Sequence, residues 1–431
     1  MAPVAIYQTM SPSIIPAPVA ALTLTALAIV ADAEPLNLLA GRSLSRSTNW
    51  LGQPESAAQV KAGLKGMAPW YHTSSELQSE AKRLVDGCGG RALMRNHSHG
   101  GVTLETIYIA ADRPDATNRV FITFGEHSRE LISPETGLEH LRQLCGESAT
   151  TSKVKVEDVL KDSSFTLVLN ANPRSRAKVE SGEYCLRTNP NGVDLNRNYN
   201  IKWEPGATIE GQSTNPGPHP FSEPETQIMK SLLETLRPTT YLTVHSGVKG
   251  MYMPWAWSTD LLENDTSQSS MMQVLRALDK DHCRCPYGAA GKEVGYAAPG
   301  TSLDFARTIE GNLFSFAFEI ACSKDADADF LSRYQREEST KHRTLLQHGK
   351  SPVAASPATV RPHVASLLQA ASHAFRVEHQ SEEGNDCFPT YNPTSRKEYE
   401  EVTKNWAAAF LEMAHLTRNL IRKGAAAPAK L

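Results

Sequence analysis

A His-x-x-Glu step, Phe124-Gly-Glu-His127-Ser-Arg129-Glu130-Leu-Ile, follows directly on the apolar run Val120-Phe-Ile-Thr-Phe124. That run has the length and composition of a β-strand. A histidine and a carboxylate three residues apart, where a strand ends, can close on one metal ion. Hydrolytic zinc takes three N/O ligands and leaves a fourth position to water, so the chain must also supply a third ligand and a base. The step alone is weak evidence. With 14 His in 431 residues, about one such pair arises by chance, the risk carried by any short motif. His379-Gln-Ser-Glu382 shares the spacing but sits in a polar stretch of loop composition. Context separates the two. After His127, Ser133-Pro134-Glu135 predicts a helix start with a serine cap, proline at the first position and an acid in the first turn. Leu138, Leu141 and Leu144 then recur on one helix face. Open α/β sheets bind ligands beyond the carboxyl ends of their strands, where His127 and Glu130 would lie.

Three further strand ends carry reactive residues. Phe165-Thr-Leu-Val-Leu169 runs into Asn170-Ala-Asn-Pro, Tyr241-Leu-Thr-Val244 into His245-Ser246-Gly247, and Phe314-Ser-Phe-Ala-Phe318 into Glu319. A lone histidine after a strand is more often a hydrogen-bonded turn residue than a ligand. A glutamate closing an aromatic strand is less ordinary, because a buried carboxylate needs a partner. Both beside His127 and Glu130 favour a metal site.

Taken in order, His127-x-x-Glu130, Gly192-Val-Asp194-Leu-Asn196-Arg197-Asn-Tyr199, His245-Ser246 and Phe318-Glu319 resemble the zinc metallocarboxypeptidases of the carboxypeptidase A/B type. The resemblance begins near Tyr71-His-Thr-Ser-Ser-Glu and runs to the C-terminal helix. It implies an α/β fold: a mixed, mostly parallel twisted sheet with helices on both faces. It implies one Zn2+ per chain on His127, Glu130 and His245, with Asp194 orienting His127. Glu319 resembles the general base that activates water, and Arg187, in Cys185-Leu-Arg-Thr188, the arginine that polarises the scissile carbonyl. Asn196 and Arg197 resemble the clamp on the substrate's C-terminal carboxylate, and Tyr296 the mobile tyrosine that closes over it. Arg129 is similar to a basic residue lining neighbouring substrate subsites. Leu303, seven residues after Tyr296, falls at the floor of the pocket for the departing side chain, which implies a preference for apolar C-terminal residues.

The chemistry asks for these residue types. Zinc brings the pKa of water towards neutrality and polarises a carbonyl, and a positioned base typically adds about 10²- to 10⁴-fold. A planar guanidinium grips a carboxylate through a fork of two hydrogen bonds. Only a chain end offers such a carboxylate beside the scissile bond, so the fork would make an exopeptidase. Singly, each residue has a plainer reading: Arg187 and Arg197 as surface charges, Tyr296 as a packed aromatic, Asn191-Gly192 as a turn.

A chain of 47.1 kDa with 40% hydrophobic residues is long enough for one large catalytic domain. Its net charge of −3 shows no basic surplus, so nucleic acid is not an expected partner. The expected partners are peptide or protein C-termini, the expected state a monomer without stable membrane insertion. Residues 1–33 are read as a signal peptide: Ala17 to Val30 is apolar but short for a bilayer span, and Ala31-Asp-Ala33 offers a small-x-small cleavage site. The expected preceding positive charge is missing, since no Lys or Arg occurs before Arg42. This makes a secreted, secretory-pathway or vacuolar location the expectation and an intracellular protein the alternative. The sequons Asn96-His-Ser98 and Asn264-Asp-Thr266 agree with export. Residues 34–70 form a short extension, too short for a folded prodomain, residues 71–422 the catalytic domain with an insert at about 323–385, and 423–431 a tail. Seven cysteines allow up to three bridges, with connectivity open. Ser395-x-x-Glu398 opens a final helix with an apolar stripe of Tyr399, Val402, Trp406, Phe410, Met413 and Leu420. Two other functions share the zinc ligands or the fold: a deacylase of N-acyl amino acids, and a non-catalytic peptide binder. Arg187, Asn196, Arg197 and Tyr296 favour the peptidase over the first, intact Glu319 over the second.

Overall fold

The computed structural model describes residues 63–206, 214–260, 266–323 and 387–424. The signal peptide, most of the short extension, nearly all of the insert, the Asn264 sequon, His379 with Glu382, and the tail from 425 lie outside the described residues.

Eight strands form one sheet: β1 (Ala92–His99), β2 (Val102–Ile109), β3 (Asn118–Phe124), β4 (Ser163–Val168), β5 (Thr240–His245), β6 (Lys249–Met253), β7 (Tyr287–Ala289) and β8 (Phe314–Ile320). Their spatial order is β1-β2-β4-β3-β5-β8-β6-β7. The centre is parallel, β3 pairing with β4 and β5, and β5 with β8. Strands β1, β2 and β6 join antiparallel, and β7 runs parallel to β6. The four runs read as strands are the four central ones. They are apolar without strict alternation because both faces are covered. Polar β1, with Arg95, Asn96 and Ser98 exposed, closes one edge and gives neighbouring chains little to pair with.

Side chains alternate across the strands, and the helices follow them. The main helices are α1 (Ser74–Gly87), α2 (Ile132–Leu144), α3 (Pro173–Glu180), α4 (Pro224–Leu236), α5 (Thr266–Leu278), α6 (Ser302–Thr308) and α7 (Arg396–Arg422). One face presents Val120, Ile122 and Phe124 of β3, Val244 of β5 and the Phe314–Phe316–Phe318 ladder of β8 to α2 and α7. Trp406 and Phe410 of α7 stack on that ladder and on Phe124, with ring centres 5.8 Å apart in both the Phe318–Trp406 and Phe124–Phe410 pairs. Truncating a side chain such as Trp406 to alanine costs about 3–5 kcal/mol. The opposite face packs Phe121 and Tyr241 against Ile228, Met229, Leu232 and Leu233 of α4 and Phe305 of α6. The α7 stripe is the expected one, and the Ser395 hydroxyl accepts the Glu398 N–H at its start.

One local expectation fails for a tertiary reason. Helix α2 begins at Ile132 with no side-chain cap. Ser133 lies inside it, and its hydroxyl donates to the Val244 carbonyl at 2.7 Å. Glu135 is buried, taking the backbone N–H and ring of His72 and the Tyr399 hydroxyl. Both polar residues tie the end of β3 to the rest of the fold, and the cap is forgone.

Three disulfides join Cys88–Cys145, Cys185–Cys387 and Cys283–Cys285, and Cys322 is outside them. Cys185–Cys387 fastens the loop carrying Arg187 to the short helix Cys387–Tyr391, beyond the insert. Leu64 and Ala68 are buried in the same core as Tyr71, so the described fold reaches back to Gly63. Among the described residues no helix is long and apolar enough to cross a membrane.

Candidate active site

The sheet order places the site. From β3 the chain moves to β4 on one side, then crosses to β5 on the other, so the segments leaving β3 and β5 diverge at neighbouring carboxyl ends. Such a switch point opens the crevice where α/β sheets bind ligands. His127 and Glu130 follow β3, His245 ends β5, and Glu319 lies directly opposite His245 in the β5–β8 register.

Three donors converge there. His127 Nδ1 lies 2.7 Å from Glu130 Oε1 and 3.1 Å from His245 Nδ1, which is itself 3.1 Å from Glu130 Oε2. All three side chains are buried, and they are the group of histidine, cysteine and acidic residues able to hold a metal among the described residues. Two imidazole nitrogens with lone pairs turned to one point repel unless a cation or proton lies among them. The spacing suits a metal, since ligands about 2.1 Å from a tetrahedral zinc stand roughly 3.4 Å apart.

The outward nitrogens are also engaged. His127 Nε2 lies 3.2 Å from Asp194 Oδ1, and Arg187 binds Asp194 Oδ2 through Nε at 3.0 Å and through a terminal nitrogen at 2.9 Å. His245 Nε2 lies 2.8 Å from the Thr243 hydroxyl and 3.5 Å from Glu126 Oε2. Burial works against a charged His245 ring, yet the hydrogen bonds to Glu126 and Glu130 outweigh it and hold its pKa up at about 10. Burial would also raise Glu130, but the fields of His127 and His245 bring it well below the usual carboxylate range. The pocket's field favours positive charge.

Glu319 behaves oppositely. The residue is half-buried, and its Oε2 is covered and takes no hydrogen bond among the described residues. Burial, reinforced by the Glu130 charge, pushes its pKa to about 8 against the pull of His245 and Arg187. A buried carboxylate with an open acceptor and a raised pKa, beside a converging donor set, is equipped to take a proton.

Of the remaining expected residues, Arg187, Asn196 and Arg197 join the network around Asp194. The Asp194 side chain caps the 3₁₀ turn Leu195–Arg197 by accepting the Asn196 N–H. Asn196 Oδ1 takes the Ser302 N–H at 2.9 Å, and the Arg197 guanidinium donates to the Asn196 carbonyl. Gly300, at φ 74°, holds this turn against the Tyr296–Asp304 segment. Its carbonyl accepts the Tyr199 N–H, and a Cβ there would collide with the Arg197 carbonyl oxygen. Leu303 is buried with Tyr252, Ala256 and Ala298 and packed by half-buried Val294, Tyr296 and Ala317; Ala317 lies on β8, two residues before Glu319. Arg129 stacks on the Tyr391 ring at 4.0 Å and donates to the Cys185 carbonyl. Arg187 is committed to Asp194, with its other terminal nitrogen 3.9 Å from Glu130.

Sequence reasoning passed over Glu126, which stands beside His245, and the Tyr199, Thr243 and Ser302 hydroxyls that surround its carboxylate. A glutamate inside the apolar-flanked Phe124–His127 turn was the available signal. Asp304 was missed too. It is fully buried and accepts the Ala256 and Trp257 N–H groups, and burial outweighs those bonds to push its pKa to about 7.

Known proteins resemble this chain in sequence and in fold. Residues 92–341 match the zinc carboxypeptidase family model. The chain is 26% identical over 243 residues to carboxypeptidase B of Astacus astacus, covering 52% of this chain and 76% of that protein. It is 26% identical over 309 residues to human (Homo sapiens) carboxypeptidase O, covering 63% and 78%. Among solved structures, bovine thrombin-activatable fibrinolysis inhibitor in complex with tick carboxypeptidase inhibitor superposes with a TM-score of 0.55 at 18% identity, over 81% of this chain and 98% of that one. Carboxypeptidase A of Helicoverpa armigera gives 0.51 at 19% identity, over 62% and 71%. These structures share the α/β fold. The chain belongs to the zinc carboxypeptidase family and is a metallocarboxypeptidase, a hydrolase.

Proposed function

We propose that this protein removes single residues from free peptide C-termini, with zinc held by His127, Glu130 and His245 and a preference for apolar terminal side chains. The observation that carries the reading is the convergence of two Nδ1 atoms and one carboxylate at the switch point, with Glu319 in register beside them. Two imidazole nitrogens and a carboxylate are an ordinary donor set for hydrolytic zinc, which when bound lowers the pKa of water and polarises a carbonyl. Glu319 takes the proton from water and returns it to the departing amine nitrogen. Asp194 holds His127 and Arg187 together, so the cationic edge of Arg187 faces the side where the oxyanion develops. Asn196 and Arg197 grip the terminal carboxylate, and half-buried Tyr296 closes over it. The terminal side chain enters the apolar cluster around Leu303, where an unpaired charge would be costly. Arg129 borders the more distant subsites.

The three disulfides among the described residues support passage through an oxidising compartment, and with it export after cleavage near Ala33. The experiment is direct: the zinc-loaded chain is incubated with a short peptide, with its C-terminally amidated twin, and with an N-acyl amino acid, and the products are weighed. Stepwise loss from the free C-terminus, with the amidated peptide spared, is expected. Internal cleavage or release of the acyl group alone would overturn the proposal.

A further inference from the structure

Glu126 precedes His127 in the chain, yet it is neither placed to bind the metal nor to meet substrate. It is 1% exposed. A carboxylate so buried is tolerated only when donors surround it, and here they come from three separate segments. The Tyr199 hydroxyl meets Oε1 at 3.0 Å, and the hydroxyls of Thr243 and Ser302 meet Oε2 at 2.6 and 2.9 Å. A fourth polar group, His245 Nε2, stands 3.5 Å from Oε2.

Proton order along this chain follows from counting. Thr243 has one hydroxyl proton and two close partners, Glu126 Oε2 at 2.6 Å and His245 Nε2 at 2.8 Å. His245 turns Nδ1 towards His127 Nδ1 and Glu130 Oε2. A metal in that position takes the Nδ1 lone pair, which leaves the ring proton on Nε2. Nε2–H therefore donates to Thr243, and the Thr243 proton passes to Glu126. The order reverses only if the carboxyl keeps a proton, and then His245 would offer the wrong nitrogen.

We infer that Glu126 is a positioning residue for the metal centre: through the Thr243 hydroxyl it fixes His245 with its proton on Nε2 and Nδ1 turned to the metal. The two histidines are thus held by different devices, His127 by Asp194 directly and His245 by a carboxylate acting through a hydroxyl. Glu126 also reaches the other half of the site. It takes the Ser302 hydroxyl, and the Ser302 N–H holds Asn196 Oδ1, so one buried acid links a metal ligand to the proposed carboxylate clamp.

The inference rests on the trio being the zinc site, and the experiment separates the two. Full-length parent, Glu126→Gln, Thr243→Val and Thr243→Ser are stripped of metal. Zinc affinity is then measured by competition with a coloured chelator, and the visible spectrum is recorded after loading with Co2+. Outer partners of metal-bound histidines typically contribute about 10- to 100-fold in metal affinity. Thr243→Val and Glu126→Gln are expected to bind zinc at least about tenfold more weakly and to shift the Co2+ spectrum, whereas Thr243→Ser, which keeps the hydroxyl, binds as the parent does. Parental affinity and an unchanged spectrum in Thr243→Val would overturn the inference, and that variant decides the matter if Glu126→Gln fails to fold. A parent chain that takes up no zinc would overturn the reading of the trio itself.

Discussion

Replacing Glu319 by glutamine separates two properties that one carboxylate carries, its part in chemistry and its burden on the fold. In the metal-free protein the Glu319 carboxyl titrates near 8 rather than near 4.5, because burial and the Glu130 charge disfavour ionisation. Below about pH 4.5 the folded and unfolded chains both hold this proton, and it leaves stability unchanged. As pH climbs from there, the unfolded chain ionises first, so the folded state binds more protons and its stability falls. The loss is complete once pH passes about 8. A shift of this size corresponds to an upper bound of about 5 kcal/mol, and partial opening to the crevice reduces it to roughly 2–4 kcal/mol.

Glutamine keeps the shape and cannot ionise. Metal-free Glu319→Gln is therefore expected to melt several degrees above the metal-free parent at pH 8.5 and close to it at pH 5. The assay is a pair of thermal melts in the presence of a chelator at each pH. Zinc added back should narrow the gap at pH 8.5, since a cation beside the carboxylate relieves the burden. On a C-terminal peptide substrate the zinc-loaded variant should retain its metal and lose at least about a hundredfold in kcat. A melting difference independent of pH would refute the electrostatic account, and parental turnover would remove Glu319 from the mechanism.

Four further outcomes are expected. Asp194→Asn should weaken zinc binding about 10- to 100-fold by chelator competition, because it unpairs both His127 Nε2 and Arg187; undiminished affinity would show that Asp194 does not orient the ligand. Arg197→Ala should lower kcat/KM about ten- to hundredfold on free C-termini, the size of a lost charged hydrogen bond, and an equal loss on a substrate without that carboxylate would count against the clamp. Peptides differing only in a terminal Phe, Leu, Lys or Glu should be cut fastest at Phe or Leu, and Leu303→Asp should move preference to Lys; faster release of Lys by the parent would reject the apolar pocket. N-terminal sequencing of protein from its native source should begin near Glu34, or near Tyr71 after trimming, and an intact Met1 would favour the intracellular alternative.

The readable parts of this chain were those in which neighbours in sequence are partners in space. His127 and Glu130 share one turn, the strand runs have the right length, and the α7 stripe repeats at helical spacing. The less readable parts depend on separations that no local pattern reports. Thr243 and Ser302 lie 117 and 176 residues from Glu126, and nothing in either neighbourhood marks a hydroxyl that faces a buried acid. Ser133 shows the same effect inside a correct element. Its cap signal was local, and the Val244 carbonyl that claims its hydroxyl lies 111 residues away. Cysteine pairing likewise awaited the fold, since Cys185 meets Cys387 only when the sequence beyond the insert returns to the site.

Four carboxylates, three of them buried and Glu319 half-buried, surround two histidines, and their environments assign their work. Burial alone would raise all of them. Arg187 and His127 reverse this for Asp194, which lies well below the usual range, and His127 and His245 reverse it for Glu130. Glu126 is brought down against its burial by His245 and the Thr243 hydroxyl. Glu319 has no close hydrogen-bonding cation, and it alone of the four is raised. Acids driven apart in this way take different roles. The three that stay charged can hold histidines and a cation in place through a catalytic cycle, and the one whose proton affinity lies near neutrality can gain and lose a proton within it. Zinc, when bound, would lower Glu319 from its metal-free value, so the acid limb of kcat/KM should fall below pH 8 and move with the charge of the metal site. Moving that limb by Asp194→Asn, with Glu319 untouched, would show the carboxylates acting as one electrostatic unit.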